Sequence, residues 1–243
     1  MESNLKKKIK VGDNLKSGRG SWDFGGDVSK TFVEHAKKSI MGYEEGHQII
    51  CKLSDFFCKD NNTILDIGVS TGELLKKMVK HNNHKKNLKY IGIDNQKNMI
   101  AKAKSEIKNR AVRLEVSDIT KKKLPKNEFT ISYYTLQFIP PKYRQKVFDN
   151  IYSSLSWGGG FVMFEKVRGS DARFQDIMSN LYVNFKTEMG FSASEILGKA
   201  ESIKGVLEPF STDGNIGLLK RAGFVDVMSI YKNICFEGFF CIK

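Results

Sequence analysis

The sequence is poor in the residues that build metal and disulfide sites. Its four cysteines, Cys51, Cys58, Cys235 and Cys241, show no Cys-x-x-Cys spacing and no neighbouring histidine, so they read as buried free thiols of a reducing cytosol. His81 and His84 lie in an Asn- and Lys-rich connection, and two ligands do not make a metal site. No apolar run approaches the roughly 18 residues of a membrane span, and the amino terminus lacks the apolar core of a signal peptide. A cytoplasmic location without a membrane partner or a metal is therefore expected. Acidic residues are also scarce, 27 against 40 Lys and Arg, for a net charge of +13. The lysines come without an arginine-plus-aromatic cluster, which favours a solvated basic face over its competitor, attraction to RNA or another polyanion.

What is present suits one α/β domain: 243 residues, 40% hydrophobic and 28% charged. Residues 1–20, with Lys6, Lys7, Lys8, Lys10, Lys16 and Arg19, read as a flexible basic arm. Residues 21–243 read as a single domain.

The centre of that domain is Thr63-Ile64-Leu65-Asp66-Ile67-Gly68-Val69-Ser70-Thr71-Gly72. Ile64, Leu65 and Ile67 form the continuous apolar run of a strand covered on both faces, and Gly68 and Gly72 allow a tight turn close to a ligand. A second strand, 88–93, runs into Asp94 and Asn95, and a third, 112–116, into Asp118 and Ile119. Asp94 stands where a carboxylate can accept both ribose hydroxyls, although it is further from Asp66 than the roughly 20 residues usual in dinucleotide folds. Asp118 could accept from an adenine amino group, with Ile119 and Met99 on either side of the ring. Three successive strands ending on such residues point to an adenosine ligand.

Two helices precede this unit. One carries Phe32, Ala36 and Ile40, the other Ile49, Leu53 and Phe56, and together they make a helical cap over 21–60. The joint Met41-Gly42-Tyr43 between them is expected to bend over the cradle, bringing Tyr43 to the ligand. Further along, helices are expected over 73–80 and 96–108, a strand over 129–133, a helix from Pro140-Pro141, and a turn at Gly158-Gly159-Gly160 into a strand over 161–166. Helical patterns in 167–212 interrupt the alternation and read as an inserted helical lid. A helix closed by Gly223 leads to strands over 225–231 and 234–242, an antiparallel hairpin. Alternating strands and helices imply a mostly parallel, Rossmann-like sheet with right-handed crossovers.

A parallel sheet finished by an antiparallel hairpin, with the acidic residues and glycines above and Ala222-Gly223-Phe224 before the hairpin, resembles the class I S-adenosylmethionine (SAM) dependent methyltransferases. Trp22-Asp23-Phe24, Gly42-Tyr43, Ile93-Asp94-Asn95 with Met99-Ile100, Thr135-Leu136-Gln137-Phe138, Trp157-Gly158-Gly159, Glu165-Lys166 and Phe185-Lys186 further resemble the carboxy-S-adenosylmethionine synthases. That family makes, from SAM and prephenate, a carboxylated SAM used in transfer RNA modification. The resemblance implies SAM as cofactor, with S-adenosylhomocysteine as the product of methyl transfer. It assigns Asp66, Gly68, Val69, Ser70, Gly72, Asp94, Asn95, Met99, Asp118 and Ile119 to cofactor binding. Tyr43 and Tyr133 stand on the sulfonium side, where a ring face can stabilise a cation.

The chain departs from the pattern in the lid. Ala200 stands where the family has an arginine that holds the product's carboxylate, and Tyr133 stands where it has an asparagine. Arg168, Arg173 and Lys199 are the candidate substitutes toward a substrate. Three readings follow: a methyltransferase acting on a small-molecule or RNA acceptor, a carboxy-SAM synthase with a relocated anchor, and a non-catalytic SAM-binding protein. A homodimer is compatible with each.

Overall fold

The computed structural model describes residues 9–12 and 15–243. Seven strands form the main sheet: β3 (Thr63–Ile67), β4 (Lys89–Asp94), β5 (Val112–Val116), β6 (Asn127–Tyr133), β7 (Leu155–Lys166), β8 (Asp226–Asn233) and β9 (Phe236–Ile242). Their order across the sheet is β5-β4-β3-β6-β7-β9-β8. All pairings are parallel except β7–β9 and β8–β9. The carboxyl ends of β3, β4, β6 and β7 thus share one edge, where an open α/β sheet places its ligand crevice.

Alternation along the strands sends side chains into two layers. Val162 and Phe164 of β7 join Ile50 and Cys51 of α2 (Tyr43–Phe57) and Leu75 and Met78 of α3 (Glu73–His81) on one face. Phe161 and Met163 join Val147, Phe148 and Ile151 of α5 (Pro141–Ser154) and Leu218 and Leu219 of α8 (Thr212–Ala222) on the other. All four cysteines are buried and free. Remaining helices are α1 (Val28–Ser39), α4 (Lys97–Glu106), α6 (Ala172–Glu188) and α7 (Ala193–Ser202).

Two expectations change. Gly158-Gly159-Gly160 does not turn the chain into a strand; β7 runs through the glycines. Its pairing with β6 steps from Asn127↔Leu155 to Phe129↔Gly160, so the extra residues form a bulge, with Gly158 at φ 75°. A side chain at Gly160 would press on the rings of Phe57 and Phe129. The arm over 1–20 is also docked in its described part. Strands β1 (Ile9–Lys10) and β2 (Lys16–Ser17) pair antiparallel, and Val11 is fully buried with Trp22, Val28 and Met99. Gly198 of α7 leaves room for the Lys10 carbonyl, and the Gly20 and Trp22 amides donate to the carbonyls of Glu201 and Ser202, each at 3.0 Å. Its apolar residues, Ile9, Val11 and Leu15, give the basic segment a face to bury; residues 1–8, 13 and 14 lie outside the description.

The insertion over 167–212 leaves and rejoins the sheet at one neck, where the Arg168 amide donates to the Phe210 carbonyl at 3.0 Å. It contributes α6 and α7. Each helix starts on a side-chain cap: Asp171 accepts from the Phe174 amide, and Ser192 and Glu195 form a reciprocal capping box. The Tyr182 hydroxyl of α6 donates to the Ser39 carbonyl at the end of α1, 2.9 Å away. The insertion is thereby tied across the sheet's carboxyl edge.

Candidate active site

A cavity of about 1230 Å³ lies between that edge, the α1–α2 joint and the insertion. It exceeds the roughly 300–1,000 Å³ usual for small-molecule sites, leaving room for a nucleoside ligand and a second small molecule. Backbone geometry shapes the floor. Gly68 sits at φ 76°, and a side chain there would collide with that of Thr135 in the loop after β6. Ser70 follows at φ 51°. The Gly68 and Val69 amides donate to the Ile93 carbonyl at 2.7 and 3.1 Å, binding the turn after β3 to the end of β4.

Asp94 joins the same two turns through its side chain. Its carboxylate accepts from the Ser70 amide at 2.9 Å on one oxygen and the Gln96 amide at 2.8 Å on the other, and the Asn95 amide also stabilises it. Both oxygens keep a lone pair for ribose hydroxyls. Burial raises its pKa against the pull of these amides. Asp66 is 2% exposed and lines the cavity, and no hydrogen-bond donor to its carboxyl is found among the described residues. Burial, with the Asp94 charge adding, pushes its pKa from 3.8 up to about 7. Two carboxyls awaiting hydroxyl or ammonium donors fit the ribose and amino group of SAM. Asp118 has one oxygen held by the Thr120 amide and hydroxyl at 2.9 and 2.7 Å, which outweigh its burial and lower its pKa, while the other is 3.7 Å from Lys121 Nζ.

Tyr43, Val69, Asn95, Met99, Ile119 and Tyr133 also line the cavity. Gly72 does not. It caps α3 at φ 82°, with Ile107 and Ala103 against the place a side chain would take. Arg173 is exposed near the start of α6 and is likewise absent from the lining, whereas Arg168 reaches the rim but is exposed. Lys199 lines the cavity with its ammonium 2.7 Å from the centre of the Trp22 ring.

An aromatic wall meets the sulfonium side. The Tyr133 ring packs on Tyr43, His47, Tyr134 and Phe164, and its hydroxyl donates to the Tyr43 carbonyl at 2.6 Å. Gly46 of α2 makes this placement feasible, because a side chain there would strike the Tyr133 hydroxyl. Burial raises both tyrosine pKa values well above the ordinary one. His47 was not singled out by sequence, since a lone histidine on an apolar helix face carries no pattern. It is 1% exposed; burial, with the Lys77 charge adding, pulls its pKa down to about 3, and Nδ1 lies 3.0 Å from the Lys77 ammonium. None of the three is placed to take a proton at neutral pH. No cluster of metal-ligating residues and no helix long and apolar enough to cross a membrane is found among the described residues.

Fold, glycine cradle and strand-end carboxylates define a SAM-dependent enzyme of the class I methyltransferase superfamily. A methyltransferase-domain family profile matches residues 64–159. Among solved structures, the pyocyanin biosynthetic protein PhzM shares the fold at TM-score 0.62 and 14% identity, over 89% of this chain and 58% of that one. Human N-acetylserotonin methyltransferase, solved with SAM, does so at TM-score 0.54 and 16% identity, over 90% and 62%. Sequence relatives go further. The chain is 36% identical over 223 residues to the carboxy-S-adenosyl-L-methionine synthase of Staphylococcus epidermidis, covering 91% of this chain and 97% of the relative. It is 33% identical to that of Nautilia profundicola, covering 91% and 94%. The chain belongs to the carboxy-S-adenosyl-L-methionine synthase family.

Proposed function

We propose that the chain transfers the methyl group of SAM to a small-molecule acceptor bound under the 167–212 insertion, which acts as a lid. What carries this reading is Ala200: it lines the cavity, and the family resemblance implies a carboxylate-holding arginine at its position. Neither lid arginine replaces it from within: Arg168 is exposed at the rim and Arg173 lies outside the cavity. Losing a charge-assisted carboxylate pair in a desolvated site costs about 2–5 kcal/mol, enough to remove a preference for a carboxylated sulfonium.

SAM supplies, when bound, an electrophilic methyl group that needs positioning more than activation. The protein's part is to place and to exclude water. Asp94 takes ribose hydroxyls, Asp66 the amino group, and Met99 and Ile119 the adenine faces. Tyr43 and Tyr133 offer ring faces to a positive sulfur, a contact of about 0.5–2 kcal/mol. With both phenols raised in pKa and the His47 Nδ1 lone pair facing Lys77, the acceptor is one that is already nucleophilic at neutral pH. Orientation of the two reactants can contribute roughly 7–11 kcal/mol.

Relatives at 36% and 33% identity favour a second reading, synthesis of carboxy-SAM from SAM and prephenate with another residue holding the carboxylate. Mass spectrometry of small molecules released from the purified, denatured protein, and of a reaction with SAM and prephenate, decides between them. SAM or S-adenosylhomocysteine alone is the expected result. Carboxylated SAM would overturn methyl transfer in favour of the second reading. RNA as acceptor and a homodimer are further proposals, decided by filter binding over a salt series and by light scattering.

A further inference from the structure

Charged side chains of the first three helices meet beside the aromatic wall. Lys77 of α3 directs its ammonium at three acceptors: Glu44 Oε2 of α2, His47 Nδ1 of α2 at 3.0 Å, and Glu73 Oε1, one turn back on α3, at 3.4 Å. An ammonium has three protons and no lone pair, so Nδ1 can only be an acceptor there. The hydrogen of the neutral imidazole is therefore on Nε2, which is buried and has no hydrogen-bond partner among the described residues. The other Glu44 oxygen is taken by Lys37 of α1 at 3.1 Å.

The imidazole lies where a charge on it would matter. His47 lines the cavity, and its ring centre is 4.5 Å from that of Tyr43 and 4.7 Å from that of Tyr133, the two rings on the sulfonium side. Burial opposes a second proton on His47, and so do Lys77 of α3 and Lys37 of α1; Glu44, one turn away on α2, favours it. Tyr43 of α2 and Tyr133 of β6 are neutral phenols, their pKa values raised by burial. With Lys77 in place, an imidazolium would set two cations 3.0 Å apart and deprive the ammonium of an acceptor. Without it, Glu44 would act on His47 against one fewer cation, in a wall that receives a positively charged sulfur.

We propose that Lys77 is a positioning residue: it holds His47 as the neutral Nε2–H tautomer and so keeps the wall beside the sulfonium free of positive charge. The proposal rests on the reading that Tyr43 and Tyr133 stand on the sulfonium side, and it makes the preference for SAM over S-adenosylhomocysteine insensitive to pH. The two ligands differ by a methyl group and, with it, the charge on sulfur, while their ribose, amino and carboxyl groups are shared. The ratio of their affinities thus reports the charge of the wall and cancels the titration of Asp66 and Asp94.

The test pairs calorimetric titration of both ligands into the full chain, at about pH 7 and about pH 5.5, with isotope-labelled histidine NMR, which reads the protonation of each imidazole nitrogen. Wild-type His47 should stay neutral with its hydrogen on Nε2, and the affinity ratio should change less than about twofold. In Lys77→Met, His47 should take up a second proton on acidification and the SAM to S-adenosylhomocysteine preference should fall about tenfold, the size expected of like charges one ring apart at an effective dielectric of about 20. Lys77→Arg keeps a cationic donor and should behave as the wild type. Lys77→Met combined with His47→Phe should lose the pH dependence, because no imidazole remains. A wild-type His47 with its hydrogen on Nδ1, or a Lys77→Met protein whose His47 stays neutral, overturns the proposal; so does a fall in preference that survives His47→Phe. If His47 titrates in Lys77→Met but the ratio does not move, the tautomer lock stands and the placement of the two tyrosines beside the sulfur falls.

Discussion

The two halves of the cavity are made differently. On the nucleoside side, main-chain groups do most of the positioning: the Gly68 and Val69 amides on the Ile93 carbonyl, and the Ser70 and Gln96 amides on Asp94. On the insertion side, positions are set by side chains packed from distant parts of the chain, as with Lys166 against Tyr182 and Phe236, or Tyr133 in the space left by Gly46. A backbone cradle fixes a shared ligand and tolerates little change. A side-chain wall can be rebuilt one residue at a time, so Ala200 and Tyr133 can differ from the family pattern above an intact cradle.

The largest effect that distinguishes the halves should come from Asp66. Its folded pKa, about 7, lies above the ordinary 3.8, so the folded chain keeps a proton that the unfolded chain releases. Stability from this group is therefore present at low pH and lost as pH rises from about 4 to about 7. Three units at 1.36 kcal/mol each set an upper limit of about 4 kcal/mol. Asp66→Asn removes that dependence and should gain stability relative to the wild type between pH 4 and pH 8, measured by urea unfolding at both. Parallel pH dependence in the two proteins would show that the main-chain-built half does not hold Asp66 at a cost in desolvation.

Asp94 comes next. Replacing it by Ala removes acceptors for the ribose and leaves the Ser70 and Gln96 amides without their bonds. S-adenosylhomocysteine binding should weaken by roughly 1.5–3 kcal/mol. Calorimetry on folded Asp94→Ala protein checks this; unchanged affinity would remove Asp94 from the ribose site and leave it a tie between two turns.

Local chemistry explains what the sequence made legible. The strand Thr63–Ile67, its glycine turn and the acids after β4 and β5 were readable because burial on two faces demands an apolar run, and a left-handed turn demands glycine. The helix stop at Gly223, observed at φ 117°, was readable for the same reason. Tertiary packing decided the rest. Gly72 obeys the turn rule yet faces α4 rather than the ligand, and only the placement of Ile107 shows it. The glycines 158–160 carry a turn signal but are spent on a bulge within β7. Lys199 and Arg173 were plausible anion holders by position in the chain. Trp22 covers the first, and the second lies outside the cavity. His47 had no local signal at all, and Lys166 only that of the Glu165-Lys166 resemblance, because the partners that surround them come from residues 77, 133, 182 and 236.

The smallest effect, and the sharpest on the sulfonium side, concerns the charge difference between SAM and S-adenosylhomocysteine. If the Tyr133 ring faces the sulfur, Tyr133→Leu should weaken SAM by about 0.5–2 kcal/mol while changing S-adenosylhomocysteine, whose sulfur is neutral, much less. Tyr133→Phe keeps the ring and loses the hydroxyl's bond to the Tyr43 carbonyl, so it should retain the preference for the charged ligand even if stability falls by the roughly 0.5–1.5 kcal/mol of a hydrogen bond. Paired calorimetric titrations of both ligands into the three proteins isolate the charge contribution, because losses from general misfolding affect the two ligands alike. A Leu variant with an unchanged SAM to S-adenosylhomocysteine ratio would show that Tyr133 only supports Tyr43 and α2, and would move the cation-binding role to the Tyr43 ring.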